Sequence, residues 1–220
     1  MAHRPHVVSA FLLSVAATAA LASPVGAQEP PPPIGPFVID IRGTFPQFTN
    51  DLQLAQSRGL VQLELPGVGL GLDVGAHVYV FKWHAMTVGV GGQLTAGRAH
   101  SSAAAISGVE VSRAVTERFT SLGTQLSFNF GTGDGWSYLS GGIGTSKWSV
   151  VPDAGAPLPV DDDRLRTLNY GGGARWFIKP HLAFHFDVRV HAIDPGRPEF
   201  GLPGSPRTAM LILGAGISIK

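Results

Sequence analysis

Four ionisable side chains share one face of a short alternating segment near the end of the chain. In HLAFHFDVRVHA (residues 181–192), His185, Asp187, Arg189 and His191 have the same parity, and alternate residues of a β-strand point to the same side of a sheet. Histidine and aspartate side chains can bind a metal ion. The two histidines, however, lie about 20 Å apart along a strand, and Arg189 between them repels a cation. The spacing therefore favours a network of hydrogen bonds and ion pairs.

Alternation of apolar and polar residues recurs along the chain and predicts eight β-strands. The predicted strands are Phe37–Phe45, Gly69–Phe81, Met86–Gly97, Phe119–Phe130, Tyr138–Trp148, Thr167–Ile178, Leu182–His191 and Met210–Lys220. Helical periodicity is limited to residues 50–60, where we expect a helical turn or a loop. Short, turn-rich connections alternate with long ones. A barrel with an even number of strands shows this alternation when short turns join the strands at one end and long loops join them at the other.

The polar faces of the predicted strands carry balanced aspartate and arginine rather than the lysine and glutamate of a water-exposed sheet. We expect a polar network inside a barrel, formed by Asp40, Arg42, Asp73, His77, Gln93, Gln125, Arg175, His185, Asp187, Arg189 and His191. Charges in such an interior must find partners. The same side chains could alternatively line a narrow pore, although an eight-stranded barrel is just wide enough to be filled by side chains.

The opposite faces of the strands are aliphatic, which fits contact with lipid better than a water-filled exterior. Aromatic residues near the strand ends fit an interfacial girdle, and we assign to it Phe37, Phe45, Phe81, Trp83, Trp136, Trp148, Trp176 and Phe177. The sequence therefore predicts an all-β fold, an eight-stranded antiparallel up-and-down transmembrane β-barrel. Short turns would face the periplasm, and four longer loops would face outward. A soluble barrel is the alternative.

The first residues of the chain are typical of an exported protein. Residues 1–27 combine a basic start, an apolar run and small residues, so we predict a signal peptide that is cleaved after Ala27. Residues 28–36 form a proline-rich leader, and residues 37–220 form the predicted barrel. The chain has no cysteine, and the part after Ala27 has 15 basic and 15 acidic residues. This balance argues against a nucleic-acid-binding protein. We expect export through the inner membrane and location in the outer membrane.

Three other groups of residues are candidates for chemical sites. His84, His100 and His181 lie near strand ends, with Ser101 and Ser102 beside His100. A lipid-hydrolysing site there is an alternative, but no local motif links these residues.

The glycine-rich stretches at residues 69–75 and 141–147 have neither dinucleotide-binding nor P-loop spacing. The run Asp161–Asp163 could bind Ca²⁺ but is more typical of a solvated loop tip. We therefore predict no catalytic residue, metal ligand or cofactor.

Three stretches carry a resemblance to a known family. They are YLSGGIGTSKW (138–148), NYGGGARWFIKPHLAFHFDVRV (169–190) and MLILGAGISIK (210–220). The chain resembles the small outer-membrane barrels of the OmpA/OmpX type, and more closely the outer membrane protein beta-barrel domain of Gram-negative bacteria. The resemblance covers essentially the whole mature chain. The family's last strand usually ends in an aromatic residue that serves as an insertion signal, whereas this chain ends in Ile219-Lys220.

The resemblance implies an envelope-structural or surface-interaction role, adhesion-like, exerted through the external loops. A narrow channel for ions or small solutes is the first alternative, and a lipid-modifying enzyme is the second. The expected partners are outer-membrane lipids, the barrel-insertion machinery and surface ligands of the loops. We expect a monomer that does not bind nucleic acid.

Overall fold

The computed structural model of the protein describes residues 32–107, 109–153 and 155–220. Its central feature is a closed antiparallel barrel of eight strands, because the last strand returns to pair with the first. The predicted fold class is confirmed. The predicted signal peptide, residues 1–27, lies outside the described residues. Of the leader, residues 32–36 are described, and the Pro36 carbonyl accepts a hydrogen bond of 2.9 Å from the Tyr79 amide.

Ten strands are present in the described residues. They are β1 (Phe37–Gln47), β2 (Leu70–Trp83), β3 (Met86–Ser101), β4 (Ala104–Ile106), β5 (Val109–Ser112), β6 (Val115–Thr132), β7 (Gly135–Pro152), β8 (Leu165–Lys179), β9 (Leu182–Ile193) and β10 (Thr208–Ile219). The barrel order is β1-β10-β9-β8-β7-β6-β3-β2, and β4 pairs only with β5 in a separate hairpin. That hairpin, in the loop between β3 and β6, was not predicted.

The two ends of the barrel differ as the sequence predicts. Tight turns connect β2 to β3, β6 to β7 and β8 to β9, whereas four longer connections lie at the other end. We call these the turn end and the loop end. The first long loop contains α1 (Leu52–Ser57), whose N-cap Asp51 accepts a hydrogen bond from the Leu54 amide. This helix occupies the stretch for which a helical turn or a loop was predicted. Among the residues that the structure describes, no helix is long and apolar enough to cross a membrane.

The strands bury alternate side chains. In β1, Val38 and Asp40 are buried, whereas Ile39 and Ile41 are each 41% exposed. Apolar side chains on the outer wall are similarly exposed on the other barrel strands, so the mid-section of the barrel has an aliphatic outside and a polar inside. Glycine gives the interior room at one crowded point. A Cβ on Gly173 would lie 2.8 Å from the Tyr138 hydroxyl oxygen.

Candidate functional site

All eleven residues predicted to line the lumen are buried inside the barrel. One group centres on Asp40. Arg175 donates two hydrogen bonds to its carboxylate, at 3.0 and 2.6 Å, and the Ser218 hydroxyl donates a third at 2.6 Å. His185 Nδ1 lies 3.1 Å from Asp40 Oδ1 without a well-aligned hydrogen bond. Asp40 therefore connects three strands, β1, β8 and β10, across the lumen.

A second group centres on Arg42. Its guanidinium forms a buried ion pair with Asp73, and one of its nitrogens lies 3.3 Å from Asp187. Arg189 pairs with Asp187 from the same strand at 3.1 Å. The Tyr138 hydroxyl joins the two groups, since it contacts Asp187 and lies 2.7 Å from His185 Nε2.

The amide side chains extend this network toward β3 and β6. Gln93 donates to Asp73, and Gln125 donates to Gln93 and, at 3.0 Å, to Asn169. Arg189 also donates to Asn169 Oδ1 at 3.1 Å. The three aspartates and three arginines of the lumen thus balance one another. We call this connected set of side chains the polar network.

Two of the predicted residues do not join it. Neither ring nitrogen of His77 or of His191 has a hydrogen-bond partner among the described side chains. The prediction was wrong for these two as network members, although both are buried in the lumen. His191 instead packs edge-to-face on Phe119, with ring centroids 5.4 Å apart. Sequence reasoning also missed Tyr138, whose parity with Ser140 on β7 was the available signal.

Toward the loop end, the interior changes from polar to apolar. Inward-facing residues of the strands meet residues of the first long loop in one buried cluster, which we call the apolar plug. Its members are Phe48, Leu54, Ala55, Leu60, Leu65, Ala99, Val115, Phe119, Trp148, Val150, Leu165, Ile193, Met210 and Ile212. Helix α1 contributes Leu54 and Ala55, so the first loop folds back into the barrel mouth. The interior is therefore filled at two levels.

The girdle prediction was wrong for two tryptophans. Trp148 is 1% exposed and belongs to the apolar plug, where its indole donates a 3.0 Å hydrogen bond to Glu117. Trp136 is 3% exposed and stacks on Phe177, with ring centroids 5.0 Å apart. Both have inward parity, so their position near a strand end did not indicate which face they occupy. Large exposed aromatics do remain at Phe37, Phe45, Phe81, Trp83 and Trp176.

Buried polar contacts tie the long loops together. Arg58, in the first loop, donates to Asp161 of the third at 2.8 and 3.2 Å, and to Ser205 and Pro203 of the fourth at 3.1 and 3.2 Å. Burial raises the pKa of Asp161, an effect that the nearby Arg58 partly offsets. We call this contact the loop clamp.

A second contact joins the first and second loops. Glu64 accepts hydrogen bonds from the backbone amides of Arg113, at 2.7 Å, and Val61, at 2.8 Å. Burial by itself would raise the pKa of Glu64. These hydrogen bonds and the Arg113 guanidinium outweigh burial, so the pKa lies below its usual value.

Solved structures of other proteins have a barrel similar to this one. The chain is similar to Neisserial surface protein A, with a TM-score of 0.54 and 14% sequence identity over 84% of this chain and 97% of that one. It is also similar to Ail, the attachment invasion locus protein of Yersinia pestis, solved with the heparin analogue sucrose octasulfate. That TM-score is 0.50, at 15% identity over 83% of this chain and 97% of Ail.

The chain has the fold of the eight-stranded outer-membrane barrels. No family model matches its sequence, and no curated protein matches it either. At these identities the similarity to outer-membrane barrels establishes the fold, and the chemistry of the chain must be argued from its own residues.

The residues considered for lipid hydrolysis do not form one site. His84 and His181 lie in turns at the turn end, whereas His100 lies at the loop end. His100 Nδ1 is 3.2 Å from Thr116 Oγ1, and the Ser101 hydroxyl donates instead to the Glu64 carbonyl at 2.6 Å. His100 therefore does not activate the Ser101 hydroxyl in this arrangement.

The acidic run is engaged in loop contacts. Asp161 is buried in the loop clamp, Asp162 pairs with Lys147 at 3.0 Å, and Asp163 accepts from the Arg197 amide at 3.3 Å. The expectation of a solvated loop tip was therefore wrong for Asp161. Within the described ranges, no group of three or more histidine, cysteine, aspartate or glutamate residues is placed to hold a metal ion.

Proposed function

We propose that this protein is a closed outer-membrane barrel with an envelope-structural role, whose external loops form a surface for interaction. The observation that carries the proposal is the interior filled at two levels. The polar network occupies the mid-section, and the apolar plug occupies the mouth. Each aspartate of the lumen is paired with an arginine, so a solute would have to break buried ion pairs to pass.

The loops support the second part of the proposal. The loop clamp and the Glu64 contact hold them against one another, so they offer a preformed surface. Leu63 and Phe200 stand out from that surface, at 88% and 80% exposed. Phe200 lies in a tight turn closed by hydrogen bonds between Glu199 and Leu202. Because the loops are already held in place, contact of these two side chains with a partner would cost little conformational entropy. Ail, which was solved with a heparin analogue, is a precedent for a ligand-binding barrel of this fold.

Conductance in planar bilayers tests the closed barrel. We expect no open-state current from the wild-type protein, with insertion verified by the shift in gel migration between unheated and boiled samples. Arg58→Gln opens the loop clamp but leaves the polar network intact, so this variant should also show no open-state current. Steady single-channel currents from the wild type would instead establish the narrow channel.

Adhesion of whole cells tests the loop surface. Cells that display the wild-type chain should bind immobilised matrix protein better than cells that lack it. Leu63→Ser with Phe200→Ser should reduce this binding several-fold. Val111→Ser is the matched control, since Val111 is 51% exposed on a different loop. Equal binding by wild-type and vector-only cells would limit the function to the envelope-structural role.

A further inference from the structure

The outer wall carries a one-sided band of basic residues just above its aliphatic section. Arg98 on β3, Arg118 on β6, Lys147 on β7, and Arg164 and Arg166 at the start of β8 are all exposed. Their buried neighbours along each strand, such as Phe119, Trp148 and Leu165, face the interior. The four basic side chains within the strands therefore point away from the barrel, on four adjacent strands, and Arg164 is exposed directly before β8.

Little on the protein itself neutralises this band. Lys147 pairs with Asp162 at 3.0 Å. Among the described side chains, no carboxylate lies within ion-pair distance of Arg98, Arg118, Arg164 or Arg166. Arg98 and Arg118 are moreover directly opposite each other in the β3–β6 register. Like charges in such a pair destabilise a sheet unless an anion lies between them.

The rest of the same rim is built differently. There β1, β2 and β10 present Phe45, Leu70 and Leu211, which are 47%, 69% and 38% exposed, and Leu70 pairs directly with Arg98 at the edge of the basic sector. The basic residue nearby, Arg207, has a carboxylate partner, Asp194, at 3.4 Å. Arg197, in the loop between β9 and β10, is exposed and has no carboxylate partner among the described side chains, but it is a single residue. A run of neighbouring unneutralised basic residues is thus a property of one sector, from β3 to β8.

Two hollows lie one below the other on the wall under the basic band, both on β3, β6 and β7, and we call them together the groove. The upper hollow, about 190 Å³, lies between Leu94, Leu122 and Thr145 and is bordered by Lys147 and Arg164. The lower hollow, about 600 Å³, lies between Val90, Leu126 and Ile143. Gly141, which has the outward parity of Leu139 and Ile143, forms part of its floor, where the missing side chain deepens the groove.

The dimensions of the groove match one leaflet of a membrane. From Lys147 to Gly141 the strand rises about 20 Å, which a tilt of about 40° reduces to about 15 Å along the membrane normal. Half of a hydrocarbon core is about 15 Å thick. The basic band therefore lies where the lipid headgroups of the outer leaflet begin, and the groove lies where their acyl chains lie.

We propose that this sector binds an acylated glycolipid with two phosphate groups, the class to which lipid A belongs. One phosphate lies between Arg98 and Arg118, the second contacts Lys147 and Arg164, and an acyl chain follows the groove to Gly141. Two phosphates suit a band that spans four strands, about 14 Å at the spacing of a sheet. A glycerophospholipid with a single phosphodiester would neutralise only one of the two basic pairs. The site is separate from the loops and from the lumen, so its failure would leave the proposed function intact.

Native mass spectrometry of the full chain in an uncharged detergent tests this assignment. The probes are bisphosphoryl lipid A, monophosphoryl lipid A and phosphatidylglycerol, titrated separately. We expect the affinity to fall several-fold at each step of that series, as lost surface ion pairs predict. Equal affinity for bisphosphoryl lipid A and phosphatidylglycerol would overturn the proposal.

Variants locate the site. Arg98→Gln with Arg118→Gln should lower the affinity for bisphosphoryl lipid A about tenfold, because each lost ion pair lowers affinity several-fold. The double variant should then bind the bisphosphoryl and monophosphoryl forms equally well. Lys82→Gln with Lys179→Gln removes the same charge from exposed positions at the turn end and should change neither value. Equal weakening by the two double variants would reduce the site to a general effect of net charge and overturn the proposal.

A third variant tests the groove without altering charge. A Cβ on Gly141 would meet only Asn169 and Tyr170 atoms, at 3.6 and 3.9 Å, so the Cβ of Gly141→Leu has room and the rest of the side chain would occupy the groove. This variant should lower the affinity for each of the three lipids several-fold, while the order of the three affinities stays the same. Unchanged binding would exclude an acyl chain from the groove. For each variant, the gel-migration shift between unheated and boiled samples verifies that the barrel is folded.

Discussion

The mid-section and the loop end of this barrel have opposite polarity. In the mid-section of β6, Ser121 and Gln125 face inward and Leu122 faces lipid, whereas toward the loops Phe119 faces inward and Arg118 faces outward. The other strands of this sector change in the same way. Ser146 gives way to Trp148 on β7, and Thr167 to Leu165 on β8.

The exchange of polarity marks where the surroundings change. A wall that contacts lipid must be apolar outside, and its interior can then be polar only if every charge is paired. A wall that contacts water follows the usual rule, with apolar residues inside and charged residues outside. The loop end is therefore built like a small soluble protein on top of a membrane barrel. Two kinds of interior in one molecule can be compared by mutation.

The largest effect is expected in the polar network. Arg175→Met removes the bidentate partner of Asp40 and leaves a buried carboxylate with Ser218 as its remaining hydrogen-bond donor. Removing one member of a buried ion pair costs about 3–5 kcal/mol. Urea unfolding in lipid vesicles should show that loss. The double variant Asp40→Asn with Arg175→Met should recover most of it, because no unpaired charge remains. A single variant as stable as the wild type would show that the network does not stabilise the barrel.

The stability of the apolar plug should depend on the volume of its side chains, whereas the stability of the polar network depends on its ion pairs. Phe119→Ala empties a fully buried position and should cost about 3 kcal/mol or more in the same unfolding assay. Phe119→Leu nearly conserves the volume and should cost less than about 1.5 kcal/mol. In the polar network the equally conservative Arg175→Lys should remain costly, since lysine cannot make the two-bond contact with Asp40. Similar costs for Phe119→Leu and Arg175→Lys would remove the distinction between the two levels.

The mid-section was predictable because its alternation extends over whole strands. Asp40, Asp187 and Arg189 share parity with other polar residues, and charge balance indicated that they face one another. The pairing across the lumen was not predictable. Whether Arg175 meets Asp40 or Asp187 depends on the stagger of eight strands, which no single strand encodes.

The inward-facing side chains at the loop end were not predicted, for a different reason. One polar face was expected along the whole length of each strand, so Trp148 was assigned to the girdle by its position near a strand end. Its parity was already inward, and the change of surroundings at the membrane boundary was the missing information. The loop clamp is harder still, because Arg58 and Asp161 lie 103 residues apart and only the folded loops bring them together.

A smaller effect is expected at the loop clamp. Arg58→Gln leaves Asp161 partly unpaired in buried surroundings, which should cost about 1–3 kcal/mol of local stability. The barrel below should be unaffected, so the gel-migration shift on boiling should persist while the long loops become sensitive to protease. Arg113→Gln is a useful comparison, since the Arg113 side chain is half exposed. Equal protection of the loops in the wild type and in Arg58→Gln would show that the apolar plug alone holds them.

The smallest expected effect depends on pH and concerns Glu64. Its folded pKa is lowered, so its contribution to stability is fully present above the unfolded pKa of about 4.3 and is lost as the pH falls through the lower, folded value. Hydrogen exchange at the Arg113 amide reads this contact directly, because that amide donates to Glu64 Oε1 at 2.7 Å. After correction for the intrinsic pH dependence of exchange, protection should be constant from pH 7 to 5 and should decrease below about pH 4. Glu64→Gln should show a weaker contact with no such decrease. The pKa of Asp161 is shifted in the opposite direction. If the loss of protection at low pH disappears in Asp161→Asn and persists in Glu64→Gln, the acid sensitivity of the loops belongs to the loop clamp and not to Glu64.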